Sequence, residues 1–279
     1  MNTIAYLGPA GTFSHEAATI WARRYEEKSD YLPCHSLIEV LVTVTKGKAK
    51  TALLPLENSI EGTVNLTLDL LLGAQDIQVI GEVILPVHHC LISKAPNLKA
   101  IKEVWSHPQA LAQCRFYLNK NLPQAVIRST ASTAEAVSQV CQRPELAAVG
   151  SAFAAALYRI PILARDIHDY EDNRTRFWVL GREKPAPSSG PHLTSLVIAA
   201  AANRPGSLYA ILKHFAVAGI NLTKIESRPT KKVLGEYFFF IDCEGEAATF
   251  PLKEVLQRLQ REVPLLKVLG SYPRDKGET

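Results

Sequence analysis

The run Asn173-Arg174-Thr175-Arg176-Phe177-Trp178-Val179-Leu180 sets a hydroxyl, two guanidinium groups and two aromatic rings against an apolar strand end. Strand side chains alternate faces, so Thr175 and Phe177 share one face and Arg176 takes the other. A proton donor beside a flat ring suits a small, cyclic, anionic substrate. The same residues are also ordinary strand material, since Thr and Phe both favour β structure, so the pattern gains weight only from companions elsewhere.

Those companions lie at strand ends and helix starts. Glu57-Asn58-Ser59 follows a candidate strand Thr51 to Leu54, where α/β proteins present ligand-binding groups. Asn58 can donate through its amide and Ser59 through its hydroxyl. Glu57 acts as an acid if burial keeps it protonated and repels an anion if it is ionised. Asn58-x-x-Glu61 also fits a helix cap, and the two roles are compatible. Ser106-His107-Pro108 opens a helix that the pattern carries to Lys120, and its N-terminus makes an anion seat. Ser106 adds a hydroxyl there, or serves as a plain N-cap. Gln113 adds an amide two turns in. Thr12-Phe13-Ser14 occupies the loop after the first strand, with Thr12 as a substrate contact, and His15-Glu16 is assigned to helix packing. His88-His89-Cys90 invites a zinc reading. It is set aside because consecutive strand residues face opposite ways and no partner pair is visible, so no metal is expected.

The elements that must position these groups follow an α/β rhythm over the first ~180 residues. Ser132-x-x-Glu135 is a capping box that fixes one helix start. Lys184-Pro185-Ala186-Pro187-Ser188-Ser189-Gly190-Pro191 reads as a linker, since it continues neither a helix nor a central strand. The pattern beyond it is βαββαβ, a ferredoxin-like unit. A chain of 279 residues suits two domains, and 47% hydrophobic with 21% charged residues describes a soluble globular protein. A net charge of +4 with no basic block gives no case for nucleic acid. Five cysteines without a CxxC pair point to free thiols in a reducing compartment. No apolar run reaches the ~18 residues a bilayer span requires, and no targeting segment precedes the first strand, so a cytoplasmic protein without membrane contact is expected.

Gly8-Pro9-Ala10-Gly11-Thr12-Phe13-Ser14-His15-Glu16-Ala17, Pro55-Leu56-Glu57-Asn58-Ser59, Ser106 to Cys114, Thr175-Arg176-Phe177 and Ile225-Glu226-Ser227-Arg228-Pro229 occur in this order across nearly the whole chain. Together they resemble the motif set of the prephenate dehydratase family. The resemblance implies a cofactor-free enzyme of phenylalanine biosynthesis that converts prephenate to phenylpyruvate, water and carbon dioxide. It implies a two-subdomain, periplasmic-binding-protein-like catalytic domain over residues 1–183, a linker over 184–192, and an ACT domain over 193–279 that senses phenylalanine. Thr175 occupies the family's proton-donor position; it donates itself or orients a water or another acid. Glu57, Asn58 and Gln113 join it as catalytic residues, and Phe177 lines the ring pocket. Thr12, Ser59, Ser106 and Arg176 complete the substrate-binding set.

In the second domain Arg204-Pro205-Gly206-Ser207-Leu208-Tyr209 corresponds to the family's Gly-Ala-Leu-Val ligand loop, with Ser207 and Tyr209 replacing Ala and Val. Gly206 lets backbone N–H groups approach a carboxylate. With Ser207, Leu208, Asn221, Glu226, Ser227, Arg228 and Pro229 it forms the implied phenylalanine site, in a homodimer or tetramer joined through ACT and catalytic domains. The chain starts at the first dehydratase strand, so no fused chorismate mutase is expected. Two alternatives share the architecture. Arogenate dehydratase differs only in substrate, and the lack of a plastid transit peptide favours prephenate. A non-catalytic amino-acid sensor would need no proton donor, which Thr175 with Glu57, Asn58 and Gln113 supplies.

Overall fold

The computed structural model describes residues 2–25, 28–183, 190–200, 204–231 and 235–277. In chain order the elements are β1 (Asn2–Leu7), α1 (Phe13–Tyr25), β2 (Ser29–Cys34), α2 (Leu37–Thr45), β3 (Thr51–Asn58), β4 (Gly62–Thr63), α3 (Asn65–Gly73), β5 (Gln78–Pro86), β6 (Cys90–Ser93), β7 (Glu103–Ser106), α4 (Pro108–Gln113), α5 (Arg115–Asn121), β8 (Val126–Ser129), α6 (Thr133–Val140), β9 (Leu146–Gly150), α7 (Ala152–Tyr158), β10 (Ile162–Ala164), β11 (Arg174–Gly181), β12 (His192–Ala199), α8 (Ser207–Val217), β13 (Leu222–Pro229), β14 (Tyr237–Glu244), α9 (Leu252–Glu262) and β15 (Leu265–Pro273). They form two compact units. One comprises Met1–Val64, Val83–Phe177 and Gly277–Thr279; the other comprises Asn65–Glu82 and Trp178–Lys276. Of the expected linker, residues 184–189 lie outside the described residues.

The first unit is built on two sheets. One runs β2-β1-β3-β11-β5 with β4 on β3, and β1 is parallel to both neighbours. The other runs β10-β6-β9-β7-β8, with β7 parallel to β8 and β9 while β6 is antiparallel to β9. In the second sheet β9 is wholly buried. Ala147 and Val149 pack with Leu91, Val104 and Leu118, and Ala148 packs with Ile92, Val137 and Ile160. A strand covered on both faces has no polar positions, so it reads as an unbroken apolar run. Each sheet with its helices is an α/β lobe, the two-subdomain arrangement expected.

Two helix starts carry reciprocal caps. Ser132 Oγ accepts from Glu135 N at 3.0 Å, and Glu135 Oε2 accepts from Ala131 N at 2.9 Å. Ser36 and Glu39 repeat the device on α2, with distances of 3.1 and 2.7 Å.

The helix expected from Pro108 to Lys120 is two helices. Asp169 N donates to the Gln113 carbonyl at 2.6 Å, and Asp169 Oδ2 accepts from Phe116 N at 3.3 Å. A distant segment thus supplies partners to groups that a continuous helix would have paired internally, and Cys114 leaves helical geometry at φ −115°, ψ 15°. Helix α3 has no expected counterpart. In Asn65-Leu66-Thr67-Leu68-Asp69-Leu70-Leu71-Leu72-Gly73 the leucines are spread around the helix, so no single stripe marks it.

The second unit contains the βαββαβ order as expected, with an antiparallel sheet β13-β14-β12-β15. Leu252, Val255, Leu256 and Leu259 of α9 form an i, i+3, i+4, i+7 stripe that packs with Ile211 and Phe215 of α8 on Leu196, Ile198 and Ile241. The same unit buries a polar cluster. Ser195 Oγ donates to Asp242 Oδ1 at 2.5 Å and lies 2.6 Å from Tyr272 Oη, which also accepts from Trp178 Nε1 at 3.1 Å. Helix α3 belongs here too: Lys267 Nζ donates to the carbonyls of Leu71, Leu72 and Ala74 at 2.6–3.1 Å. A cation at carbonyls that end a helix is favoured by its dipole. Gly270 is required by close approach, because a Cβ there would run into the Val79 backbone.

Candidate active site

A cavity of 830 Å³ opens in the first unit and draws its wall from both lobes. The ends of β1, β2, β3 and β11 contribute Leu7 to Ala10, Pro33 to His35, Asn58 and Thr175; the second lobe contributes His89, His107, Gln113 and Ala131 to Thr133. Strand ends therefore bring together residues far apart in sequence.

The Asn58 side chain organises one wall. Its Oδ1 accepts from the backbone N–H groups of Ile60 and Glu61, both at 3.0 Å. Two backbone donors fix which end of the amide is oxygen. Nδ2 must then point the other way, where it meets Thr175 Oγ1 at 2.9 Å, Asn173 Oδ1 at 2.7 Å and the Arg174 carbonyl at 3.2 Å. The Thr175 oxygen is thus an acceptor from Asn58, and its own proton is left for a ligand.

The chain of amides continues inward. Asn173 Nδ2 donates to Gln113 Oε1 at 2.9 Å, and His89 Nε2 lies 3.1 Å from the same oxygen. Burial pushes the His89 pKa down to about 4, against which the Gln113 hydrogen bond pulls upward. His89 is therefore neutral at neutral pH, with its proton on Nε2, directed at the Gln113 oxygen. This leaves His89 Nδ1 and Gln113 Nε2, both buried, without a protein partner. Buried polar groups are otherwise almost always paired, so an acceptor and a donor without partners at a cavity wall mark a place for a polar ligand.

Cation side chains are not part of the wall: among the described lining residues there is no lysine or arginine. Helix starts also face the cavity: Phe13 and Ser14 of α1 line it, as do Ser132, Thr133 and Glu135 at the start of α6, where Glu135 brings the one carboxylate among the described lining residues.

Of the residues singled out in the sequence, Thr12, Asn58, Gln113 and Thr175 line the cavity. The Thr12 hydroxyl is turned inward, donating to the carbonyls of Leu7 and Pro9 at 3.0 and 3.1 Å. The remaining residues lie elsewhere. Ser106 is fully buried and donates to the Val149 carbonyl at 2.7 Å, while His107, not Ser106, caps α4. Ser59 pins its turn to β11, donating to the Asp172 carbonyl and accepting from Arg174 N. Arg176, on the opposite strand face from Thr175, meets Glu57 at 3.2 Å, an arrangement that suits an ionised carboxylate. Phe177 is 1% exposed and belongs to the core.

Sequence reasoning missed Asn173 and His89. Asn173 stands two residues from Thr175, the spacing that shares a strand face, and that signal could have found it. His89 had no such signal, because its partner Gln113 is on another element.

In the second unit Gly206 caps α8 with φ 86°, a left-handed conformation that glycine adopts freely. Gly206 and Ser207 line a separate cavity of 520 Å³ with Arg204, Ile211 and Glu262, and Leu208 is half-buried on α8. Asn221 precedes β13, and its carbonyl accepts from Glu244 N. Glu226, Ser227, Arg228 and Pro229 end β13, where Arg228 makes a two-pronged ion pair with Asp69 of α3, 3.0 and 3.1 Å from its two oxygens. Lys231 joins the same carboxylate at 2.7 Å.

Two family models match the chain in succession. The prephenate dehydratase family model matches residues 4–185 and the ACT domain model residues 194–261. A prephenate dehydratase of Methanocaldococcus jannaschii is 41% identical over 279 residues, covering 98% of each chain. The crystal structure of a prephenate dehydratase from Arthrobacter aurescens in complex with L-Phe superposes with a TM-score of 0.88 at 35% identity, covering 99% of this chain and 91% of that one. A second structure, GqqA, described as a novel type of quorum-quenching acylase, gives 0.86 at 32% identity, covering 99% of both chains. With its motifs in order, its two-lobed cleft and full-length relatives, the chain belongs to the prephenate dehydratase family.

Proposed function

We infer that the protein is a prephenate dehydratase, a hydro-lyase that aromatises prephenate to phenylpyruvate with loss of water and carbon dioxide. The observation that carries this reading is the Thr175 hydroxyl, held at the cavity wall by the Asn58 amide with its proton free. Prephenate carries a ring hydroxyl and two carboxylates. As the C–O bond to the hydroxyl breaks, the leaving oxygen takes a proton; electrons of the ring-to-carboxylate bond move into the ring, and carbon dioxide departs. Thr175 supplies the hydrogen bond and the proton to the leaving oxygen. Asn58 Nδ2 stabilises the charge that builds on Oγ1, through a hydrogen bond already present at rest that strengthens as the charge develops. Gln113 Nε2 and the start of α1 receive the carboxylates. A guanidinium clamp on the ring carboxylate would stabilise the ionised ground state and resist decarboxylation, so neutral donors suit this chemistry.

An acylase reading meets a difficulty at the same atoms. An acyl-transfer nucleophile needs a neighbouring base, and the nitrogen facing Thr175 Oγ1 is an amide that cannot take a proton.

Residues 1–183 form the catalytic region on this reading, residues 193–279 the regulatory one, and 184–192 the connection. L-phenylalanine is the effector, bound through Gly206, Ser207, Leu208, Asn221 and Glu226 to Pro229. The solved relative with L-Phe supports this, as does the turn geometry at Gly206. Strand β13 is a sheet edge, with alternate residues exposed. Pairing it with a second copy gives a homo-oligomer and completes the effector site. Free cysteines, four of the five buried, fit a cytoplasmic enzyme, and no helix among the described residues is long and apolar enough to cross a membrane.

The test is phenylpyruvate formation from prephenate and phenylalanine formation from arogenate, side by side, with an acyl-amide as third substrate. Turnover of prephenate that Thr175→Ala lowers by roughly 10²–10⁴-fold supports the reading. Preference for arogenate, or amide hydrolysis alone, overturns it.

A further inference from the structure

Behind the cavity wall runs a strap, residues 165–169, that follows β10 and is sewn to the catalytic network by backbone bonds. Ile167 N donates to the His89 carbonyl at 2.9 Å, and Asp169 N to the Gln113 carbonyl at 2.6 Å. The strap carries Asp166 and His168 outward, against His88. One nitrogen of each histidine and one Asp166 oxygen all lie within 4.8 Å of one another. We propose that His88, Asp166 and His168 form a binding site for a borderline divalent transition-metal ion, with Zn2+ as the natural occupant, on the outer side of the His89–Gln113 network.

The donor set is two imidazoles and one carboxylate, which suits Zn2+ and leaves a fourth position for water. The distances are close to those needed. His88 Nδ1 and Asp166 Oδ1 are already 3.0 Å apart, near the ~3.3 Å that separates two ligands on a tetrahedral ion with bonds of about 2.0–2.1 Å. An ion between them takes the place of the shared proton. His168 Nδ1 accepts from the His89 backbone N–H at 3.4 Å, so this nitrogen carries no proton. The two rings stand nearly perpendicular, at 71° with centroids 5.1 Å apart, so they converge without stacking. Two features hold the ligands in advance of an ion. Asp166 sits in the left-handed region at φ 52°, and the strap is fixed on both sides by the backbone bonds to His89 and Gln113. His88 and Asp166 are 54% and 65% exposed, so an ion can enter from solvent.

Adjacent His88 and His89 thus serve different faces, one outward to the strap and one inward to Gln113. Sequence alone offered His88 no partners; the fold supplies Asp166 and His168 from more than seventy residues downstream.

The experiment uses the untagged full-length protein, titrated with Zn2+ by calorimetry and with Co2+ by visible absorption. One ion per chain is expected, with Co2+ ligand-field bands of a low-coordinate N/O site. His88→Ala, His168→Ala and Asp166→Asn should each weaken affinity by at least tenfold, while His192→Ala, on the other unit, leaves it unchanged. Circular dichroism and melting curves confirm that the variants fold; the milder His168→Gln replaces any that does not. Absence of a stoichiometric site, or binding that survives His88→Ala and His168→Ala, overturns the proposal.

Discussion

Replacing Asn58 by aspartate separates its two jobs. Its Oδ1 accepts from Ile60 N and Glu61 N, and a carboxylate oxygen can do the same, so the turn keeps its cap. Its Nδ2 donates to Thr175 Oγ1, which aspartate cannot do. The threonine proton then swings to the new carboxylate and is withdrawn from the substrate. A hydrogen bond to a charge-bearing group contributes about 1.5–3 kcal/mol, and each 1.36 kcal/mol is tenfold in rate. Loss of the Asn58 donor alone therefore costs roughly 10- to 150-fold in kcat, and diversion of the Thr175 proton adds to it. Asn58→Ala should lose kcat over that range and also about 1 kcal/mol of stability, through the lost cap. Combined with Thr175→Ala, either substitution should add little, because the hydroxyl that Asn58 serves is already gone. The assay is initial-rate phenylpyruvate formation on purified variants of matched fold. An Asn58→Asp enzyme within threefold of the parent kcat, or losses that multiply in the double variant, would refute the pairing of Asn58 with Thr175.

Ser106→Ala removes the buried donor to the Val149 carbonyl, so it should lower stability by about 1–3 kcal/mol in chemical denaturation and leave kcat within threefold. His89 titrates at about 4 in the folded protein against 6.5 when unperturbed, so its neutral form favours folding above pH 6.5 and that contribution is lost as pH falls from 6.5 to 4. The loss reaches about 3 kcal/mol, and the stability difference between parent and His89→Phe should track that window; a difference independent of pH contradicts it. Asp69→Asn cuts the ion pairs from Arg228 and Lys231, and should shift half-inhibition by phenylalanine at least fivefold while basal kcat stays within twofold. Unaltered inhibition would detach this cluster from regulation.

How much could be read without coordinates depended on whether a signal was local. The Ser132 cap and the βαββαβ order are local, and both appear where expected. Strand parity placed Thr175 and Arg176 on opposite faces, and so they are. Parity cannot say which face is cavity and which is core, so Phe177, sharing the Thr175 face, is buried in the core two residues on. Ser106 illustrates another limit: a serine before His-Pro has the pattern of an anion seat, while its hydroxyl is used by a carbonyl 43 residues away. The break at Cys114 is a purely tertiary effect, since Asp169 imposes it from outside a helix with no interruption of its own. Asn173, Gln113 and His89 come together only because three elements end at one cleft.

The excursion of residues 65–82 into the second unit has a consequence for synthesis. This stretch leaves the ribosome roughly a hundred residues ahead of the next segment of its own unit, Trp178–Lys276. At about 5–20 residues per second the wait lasts about 5–20 s, and longer for the β15 lysine that receives the carbonyls of Leu71, Leu72 and Ala74. During that interval α3 lacks Lys267 at its final carbonyls and Arg228 at Asp69. The first unit is not complete before Phe177 either, since Val83–Phe177 belongs to it. Nascent chains of this protein should therefore remain protease-sensitive around Leu66 to Leu72 until translation is nearly finished, and they should engage chaperones that recognise short apolar segments during that time.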